Sequence, residues 1–191
     1  VPYQANIWAI KELGVTKLFS VSAVGSLRED FKPGDLVFTD QFIDRTTNRK
    51  QSFYETGKVC HISVAEPFCV NLIKKLISSA KELTLSFHES GTCVVIEGPR
   101  FSTKAESELY RKWNADIINM TLVPECVLAR EAEICYANIA MVTDYDVWRG
   151  SHVSNEEVLK TMKSNIEKVQ RLLMHVIKEV DDQNICTCNT R

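Results

Sequence analysis

Short β-branched runs alternate along this chain with longer segments whose apolar positions fall three and four residues apart. The first pattern belongs to buried strands and the second to amphipathic helices. Residues 4–13 carry Ile7, Ile10 and Leu13 with Ala5 and Ala9 between them, which predicts a helix closed by Gly14. Residues 17–24 read as a mostly buried strand ended by Gly25-Ser26, and Pro33-Gly34-Asp35 turns the chain into a strand at 36–39. The polar stretch 44–59 has no period and predicts a long loop. Leu72, Ile73, Leu76, Ile77 and Ala80 predict a helix over 66–83, with 83–88 a candidate strand beside it.

Past the Ser90-Gly91 turn, residues 92–97 predict a short strand. Thr103-Lys104-Ala105-Glu106 has the spacing of a capping box and opens a helix to about Trp113. A strand is predicted at 116–119, then a helix with Pro124 in its first turn, where a missing amide hydrogen costs little. The clearest strand is 134–142. Ser154-Asn155-Glu156-Glu157 is a second capping box, opening a helix to about Val180, and 181–191 form a polar tail. Strands separated by helices predict one α/β domain, a twisted, mostly parallel or mixed sheet flanked by helices.

At 191 residues the chain has room for one such domain. A net charge of −2 with no basic stripe leaves no footprint for nucleic acid. No apolar run approaches the roughly 18 residues that a membrane helix needs, so no membrane partner is expected. The chain opens at Val1-Pro2 with neither a methionine nor a signal-peptide pattern, which suggests that residues precede it. Its seven cysteines are odd in number and mostly scattered through apolar stretches, which fits reduced thiols in a cytosolic protein. Cys186-Thr187-Cys188 is the only close pair; it holds a metal only with ligands from elsewhere, and no metal is expected.

Ligands of such sheets bind beyond strand ends, which singles out four segments. Ser22-Ala23-Val24-Gly25-Ser26 is either a packing turn or an oxyanion cradle made of backbone amides and the Ser22 hydroxyl. In Ile96-Glu97-Gly98-Pro99-Arg100-Phe101-Ser102 the aromatic is either a core plug or a wall for a flat heterocycle. Asn119-Met120-Thr121-Leu122-Val123-Pro124-Glu125 leads into a helix N-terminus that favours an anion, with Thr121 as a further donor. Thr143-Asp144-Tyr145-Asp146-Val147-Trp148 sets two carboxylates after an apolar strand, where they are either at the surface or functional.

In this order the segments resemble the trimeric purine-nucleoside phosphorylase family, and within it the branch acting on 5′-methylthioadenosine. Gly25-Ser26-Leu27-Arg28-Glu29 and Asp40-Gln41-Phe42-Ile43-Asp44-Arg45-Thr46-Thr47 carry the resemblance further, which spans nearly the whole chain. It implies a pentosyltransferase of methionine and purine salvage: phosphate displaces adenine from methylthioadenosine, leaving 5-methylthioribose-1-phosphate. It implies no cofactor, inorganic phosphate as co-substrate, a cytoplasmic location with the nucleus as a second, and a homotrimer with shared sites.

By the same resemblance Ser22, the Ala23 backbone and Thr121 hold phosphate, and Met120 underlies the ribose. Phe101, Ser102, Ile118 and Asn119 border the base. Asp144 is the catalytic acid with Asp146 holding it; an aspartate here matches a 6-amino group, whereas relatives preferring 6-oxopurines carry an amide. His61 is lent by a neighbouring subunit to the 5′ pocket, with Val158 and Leu159 on its apolar side and Asn155 where relatives have valine. The family's N-terminal glycine-rich loop and Arg-His pair have no counterpart in these residues, so this stretch alone is expected to be inactive. Two alternatives stand beside this reading. One is a phosphorylase of broader or 6-oxopurine specificity, and the other a truncated, non-catalytic subunit that binds nucleosides.

Overall fold

Two strands, Lys17–Ser26 and Cys135–Tyr145, run further than their apolar runs suggest, while Phe87–His88 is shorter than the expected 83–88. The computed structural model describes residues 1–54, 56–150, 155–180, 186 and 188, and not the side chains of 155–158 and 160. The helices are α1 (Tyr3–Glu12), α2 (Val70–Glu82), α3 (Lys104–Lys112), α4 (Leu122–Glu131) and α5 (Asn155–Glu179). At α3 the expected box is complete: Thr103 accepts from the Glu106 amide, and the Glu106 carboxylate accepts from the Thr103 amide. The corresponding box at α5 begins with Ser154, outside the described residues. α2 starts at Val70, four residues later than expected, because the Cys69 amide is spent on the Tyr136 carbonyl at 2.8 Å, which ties this stretch to the sheet. In α4 the residue before proline, Val123, is extended, so the regular helix begins at Pro124.

The strands are β1 (Lys17–Ser26), β2 (Leu36–Thr39), β3 (Gln41–Arg45), β4 (Phe87–His88), β5 (Thr92–Ile96), β6 (Ile117–Asn119) and β7 (Cys135–Tyr145). They form one mixed sheet in the order β3-β5-β6-β1-β7-β2-β4. β1 does not stop at Val24: it continues through Gly25 and Ser26, which pair with Ile118 and Ile117 of β6. β3 arises inside a segment read partly as loop; it lies at the edge of the sheet, paired only with β5, and none of its residues is fully buried.

β1 and β7 run parallel along ten residue pairs and form the spine of the sheet. Leu36, Leu76, Ile139 and Leu172 are fully buried around that spine, where α2 and α5 pack. A smaller apolar cluster of Leu27, Val94, Ile96, Tyr110, Ala115 and Ile118 lies under α3. No helix among the described residues is long and apolar enough to cross a membrane.

Candidate active site

The four polar segments converge on one cavity of about 390 Å³. Its walls come from the middle and end of β1, the loops that leave β5 and β6, and the last residues of β7. The cavity lies beyond the carboxyl ends of β5 and β6 but beside the edge of β1, because β1 runs antiparallel to β6. β6 pairs with β1 only at Gly25 and Ser26, so the backbone of Ser22 and Ala23 is left bare on that side.

A register shift between β1 and β7 shapes the acidic wall. Val24 pairs with Val142 and Gly25 with Asp144, so Thr143 is an extra residue in β7. Such a bulge re-aims the side chains that follow it. Asp144 and Asp146 both line the cavity. Gly25 permits this: a Cβ there would stand 3.2 Å from Asp144 Oδ1 and from Ile118 Cγ2.

Burial pushes the Asp144 carboxyl up to about 6; the Thr143 hydroxyl, 2.7 Å from Oδ2, opposes that shift, and the charge of Asp146 adds to it. Near neutral pH a proton is therefore available on a group that ordinarily lacks one. Asp146 is 3% exposed, and its Oδ2 has no hydrogen-bond partner. Burial raises its pKa as well, opposed by the nearby Ser107 hydroxyl and the Val147 amide, although the Ser107 hydroxyl completes no hydrogen bond. Asp146 thus acts on Asp144 through charge, and the hydrogen bond to Asp144 comes from Thr143. The segment after Asp146 is fixed by Trp148 Nε1 donating to the Ser26 carbonyl at 2.8 Å, with the Arg111 guanidinium 3.7 Å over the indole.

On the opposite wall the Ser22 hydroxyl has contacts only of 3.3–3.4 Å, to Asn138 and Asn119, long enough to leave it available to a ligand. Thr121 is exposed at the N-cap of α4 and its hydroxyl caps nothing. Ser102 is buried with an unpartnered hydroxyl, whereas Phe101 is half-exposed at the rim. Ile118, Asn119 and Met120 complete this wall.

His61 and Leu159 do not join them. His61 is exposed in the loop before α2, and Leu159 is 62% exposed on α5. The side chains of Val158 and Asn155 lie outside the described residues.

Sequence reasoning missed Arg49. Its guanidinium donates to the carbonyls of Met120 at 2.6 Å, Val123 at 2.5 Å and Glu97 at 2.8 Å, joining the loops that leave β5 and β6. It lies in the polar, aperiodic 44–59 stretch, where no spacing marks it out.

Residues 1–178 match the Phosphorylase superfamily. The S-methyl-5′-thioadenosine phosphorylase of Thermofilum pendens is 57% identical over 98% of this chain and 72% of its own length. That of Pyrococcus horikoshii is 56% identical, over 98% and 73%. Among solved structures, methylthioadenosine phosphorylase from Schistosoma mansoni in complex with adenine superposes with a TM-score of 0.90 at 39% identity, over 95% of this chain and 72% of that one. A mutant adenosine/methylthioadenosine phosphorylase from Schistosoma mansoni, in complex with methylthioadenosine, matches with the same TM-score of 0.90, over 95% and 71%.

Proposed function

The chain belongs to the phosphorylase superfamily, and from that premise we propose that it is a pentosyltransferase that cleaves 5′-methylthioadenosine with inorganic phosphate. The observation that carries this reading is the Asp144 carboxyl, raised to about 6 inside the cavity, facing a wall of hydroxyl donors and bare backbone. Phosphate attacks the ribose C1′ as the bond from C1′ to N9 breaks, giving adenine and 5-methylthioribose-1-phosphate. Positive charge builds on the ribose and negative charge on the purine.

Protonated Asp144 donates to purine N7 while its other oxygen accepts from the 6-amino group. The proton passes to N7, and the carboxylate left behind is stabilised by the Thr143 hydroxyl. Proton donation of this kind contributes typically ~10²–10⁴ in rate. The Ser22 and Thr121 hydroxyls and the Ala23 amide donate to phosphate, with Met120 beneath the ribose. Phe101, Ser102, Ile118 and Asn119 border the base. A 6-oxopurine would set its oxygen against a carboxyl acceptor, and such buried polar mismatches are strongly rejected.

The working assembly is a homotrimer in which a neighbouring copy brings His61 to the 5′ side of the site, with Leu159 on its apolar wall. The exposure of both His61 and the apolar Leu159 supports this. The test compares phosphate-dependent turnover of methylthioadenosine, adenosine and inosine by the wild type and Asp144→Asn. Preference for methylthioadenosine, and a shift toward inosine in the variant, are expected. Inosine preferred by the wild type would favour the 6-oxo specificity, and nucleoside binding without turnover a non-catalytic subunit. Mixing His61→Ala with Asp144→Asn should raise turnover of methylthioadenosine above that of either variant alone if sites are shared between copies.

A further inference from the structure

A row of buried polar side chains crosses the sheet from Thr39 in β2, through Asn138 in β7, to Ser22 in β1 and Asn119 in β6. Asn138 stands at its centre, in register with Ser20 of β1 on one side and with Thr39 of β2 on the other. Asn138 and Thr39 are 1% and 0% exposed. An amide and a hydroxyl buried this deeply are costly unless their hydrogen bonds are made.

The distances give the row a direction. The Thr39 hydroxyl donates to Asn138 Oδ1 at 2.9 Å, which sets the amide oxygen toward β2. Asn138 Nδ2 then faces β1, donating to Ser20 Oγ at 2.8 Å and to Ser22 Oγ at 3.3 Å. From the other side Asn119 Nδ2 donates to the same Ser22 oxygen at 3.4 Å. Both lone pairs of the Ser22 hydroxyl are thus turned toward amide donors. Among the described residues its own hydrogen meets Asn138 Oδ1 at 3.4 Å, and that oxygen already accepts the shorter bond from Thr39.

We propose that Asn138, oriented by Thr39, is a positioning residue that keeps the Ser22 hydroxyl a donor to the oxyanion in the cavity. This rests on the reading of Ser22 as part of the phosphate site. Neither Asn138 nor Thr39 lines the cavity that holds Asp144, so their effect reaches phosphate through Ser22. A serine hydroxyl can donate or accept, whereas an ionised phosphate oxygen only accepts. Two amides donating to Ser22 Oγ leave its hydrogen for the anion, with no reorientation when phosphate arrives. Were the Asn138 amide reversed, Oδ1 would face β1, take the Ser22 hydrogen and turn a lone pair toward the anion.

The test is calorimetric titration of the protein with inorganic phosphate, alongside KM values for phosphate and methylthioadenosine. Thr39→Val keeps the shape and removes the hydroxyl that sets the amide. Phosphate Kd and KM should rise about five-fold, while KM for methylthioadenosine stays within about two-fold. Thr39→Ser should recover most of that loss. In a Ser22→Ala background the Thr39→Val effect should shrink below about two-fold, because the hydroxyl it acts through is gone. Asn138→Ala, which removes the amide, gives the same cycle by a second route should Thr39→Val not fold. Phosphate affinity unchanged in these variants, or an equal loss with and without the Ser22 hydroxyl, would overturn the proposal. Phosphate binding without turnover of methylthioadenosine would count against the proposed reaction instead, and the titration cycle would still decide the role of Asn138.

Discussion

Thr143 holds Asp144: its hydroxyl, set in the bulge of β7, donates to Asp144 Oδ2 at 2.7 Å and so favours the carboxylate against the burial that opposes it. Removing that hydroxyl has a definite sign. In Thr143→Val the carboxyl loses a donor to its charged form, so its pKa rises further above about 6. If Asp144 works protonated, the alkaline fall of kcat/KM moves to higher pH, by up to about one unit. A pH–rate profile of the two proteins checks this, and an alkaline limb that moves down would contradict the acid role.

The same raised pKa makes stability depend on pH. An ordinary aspartate titrates near 3.8 and Asp144 near 6. Between those values the folded chain keeps a proton that the unfolded chain has lost, so this group's contribution falls as pH rises from about 4 to about 6. Asparagine does not titrate. Asp144→Asn should therefore gain on the wild type across that window and stay ahead above it, by at most roughly 3 kcal/mol. Melting temperatures at pH 4.5 and 7.5 measure the gap, which should open toward the higher pH as activity is lost.

Much of this site was legible because its residues sit in short segments placed directly on strands. Asp144, Asp146 and Ser22 could be named from apolar runs that stop at polar residues. What periodicity could not supply was the antiparallel pairing of β1 with β6, which depends on distant partners and turns a strand edge into a cavity wall. The bulge at Thr143 was hidden for a similar reason: it is a mismatch between two strands and belongs to neither sequence alone. The cysteines show the same limit, since Cys69 and Cys186 are brought together only by the packing of the folded chain.

Gly98 has a role set by geometry and not by turn preference alone. It holds φ at +67°, and a Cβ there would stand 2.5 Å from Met120 Sδ. The thioether is flexible enough to give way, so the cost of Gly98→Ala falls on where Met120 sits in the cavity. Left-handed strain adds about 1 kcal/mol. A modest fall in melting temperature with an increase of about ten-fold in nucleoside KM is expected, the latter equivalent to roughly 1.4 kcal/mol of binding. Steady-state kinetics would contradict this if KM were unchanged while kcat fell.

Arg49 organises the site without touching the cavity that holds Asp144. Its side chain is 10% exposed, and the fork reaches three carbonyls at 2.5–2.8 Å, those of Glu97, Met120 and Val123, and that of Ile96 at 3.4 Å. A lysine ammonium keeps the charge but has no rigid fork to bridge three acceptors. Arg49→Lys should therefore fold, yet let the loops after β5 and β6 drift apart, with a loss of about 10–100-fold in kcat/KM from misplacement near the reacting atoms. Arg49→Ala leaves partly buried carbonyls unpaired as well, and should cost a further 1–3 kcal/mol or so of stability. A role in bulk stability alone would leave kcat/KM intact at temperatures where the variants remain folded. Positioning predicts instead that millimolar guanidinium restores part of the activity of Arg49→Ala, because the small cation can enter the vacated fork and bridge the same carbonyls.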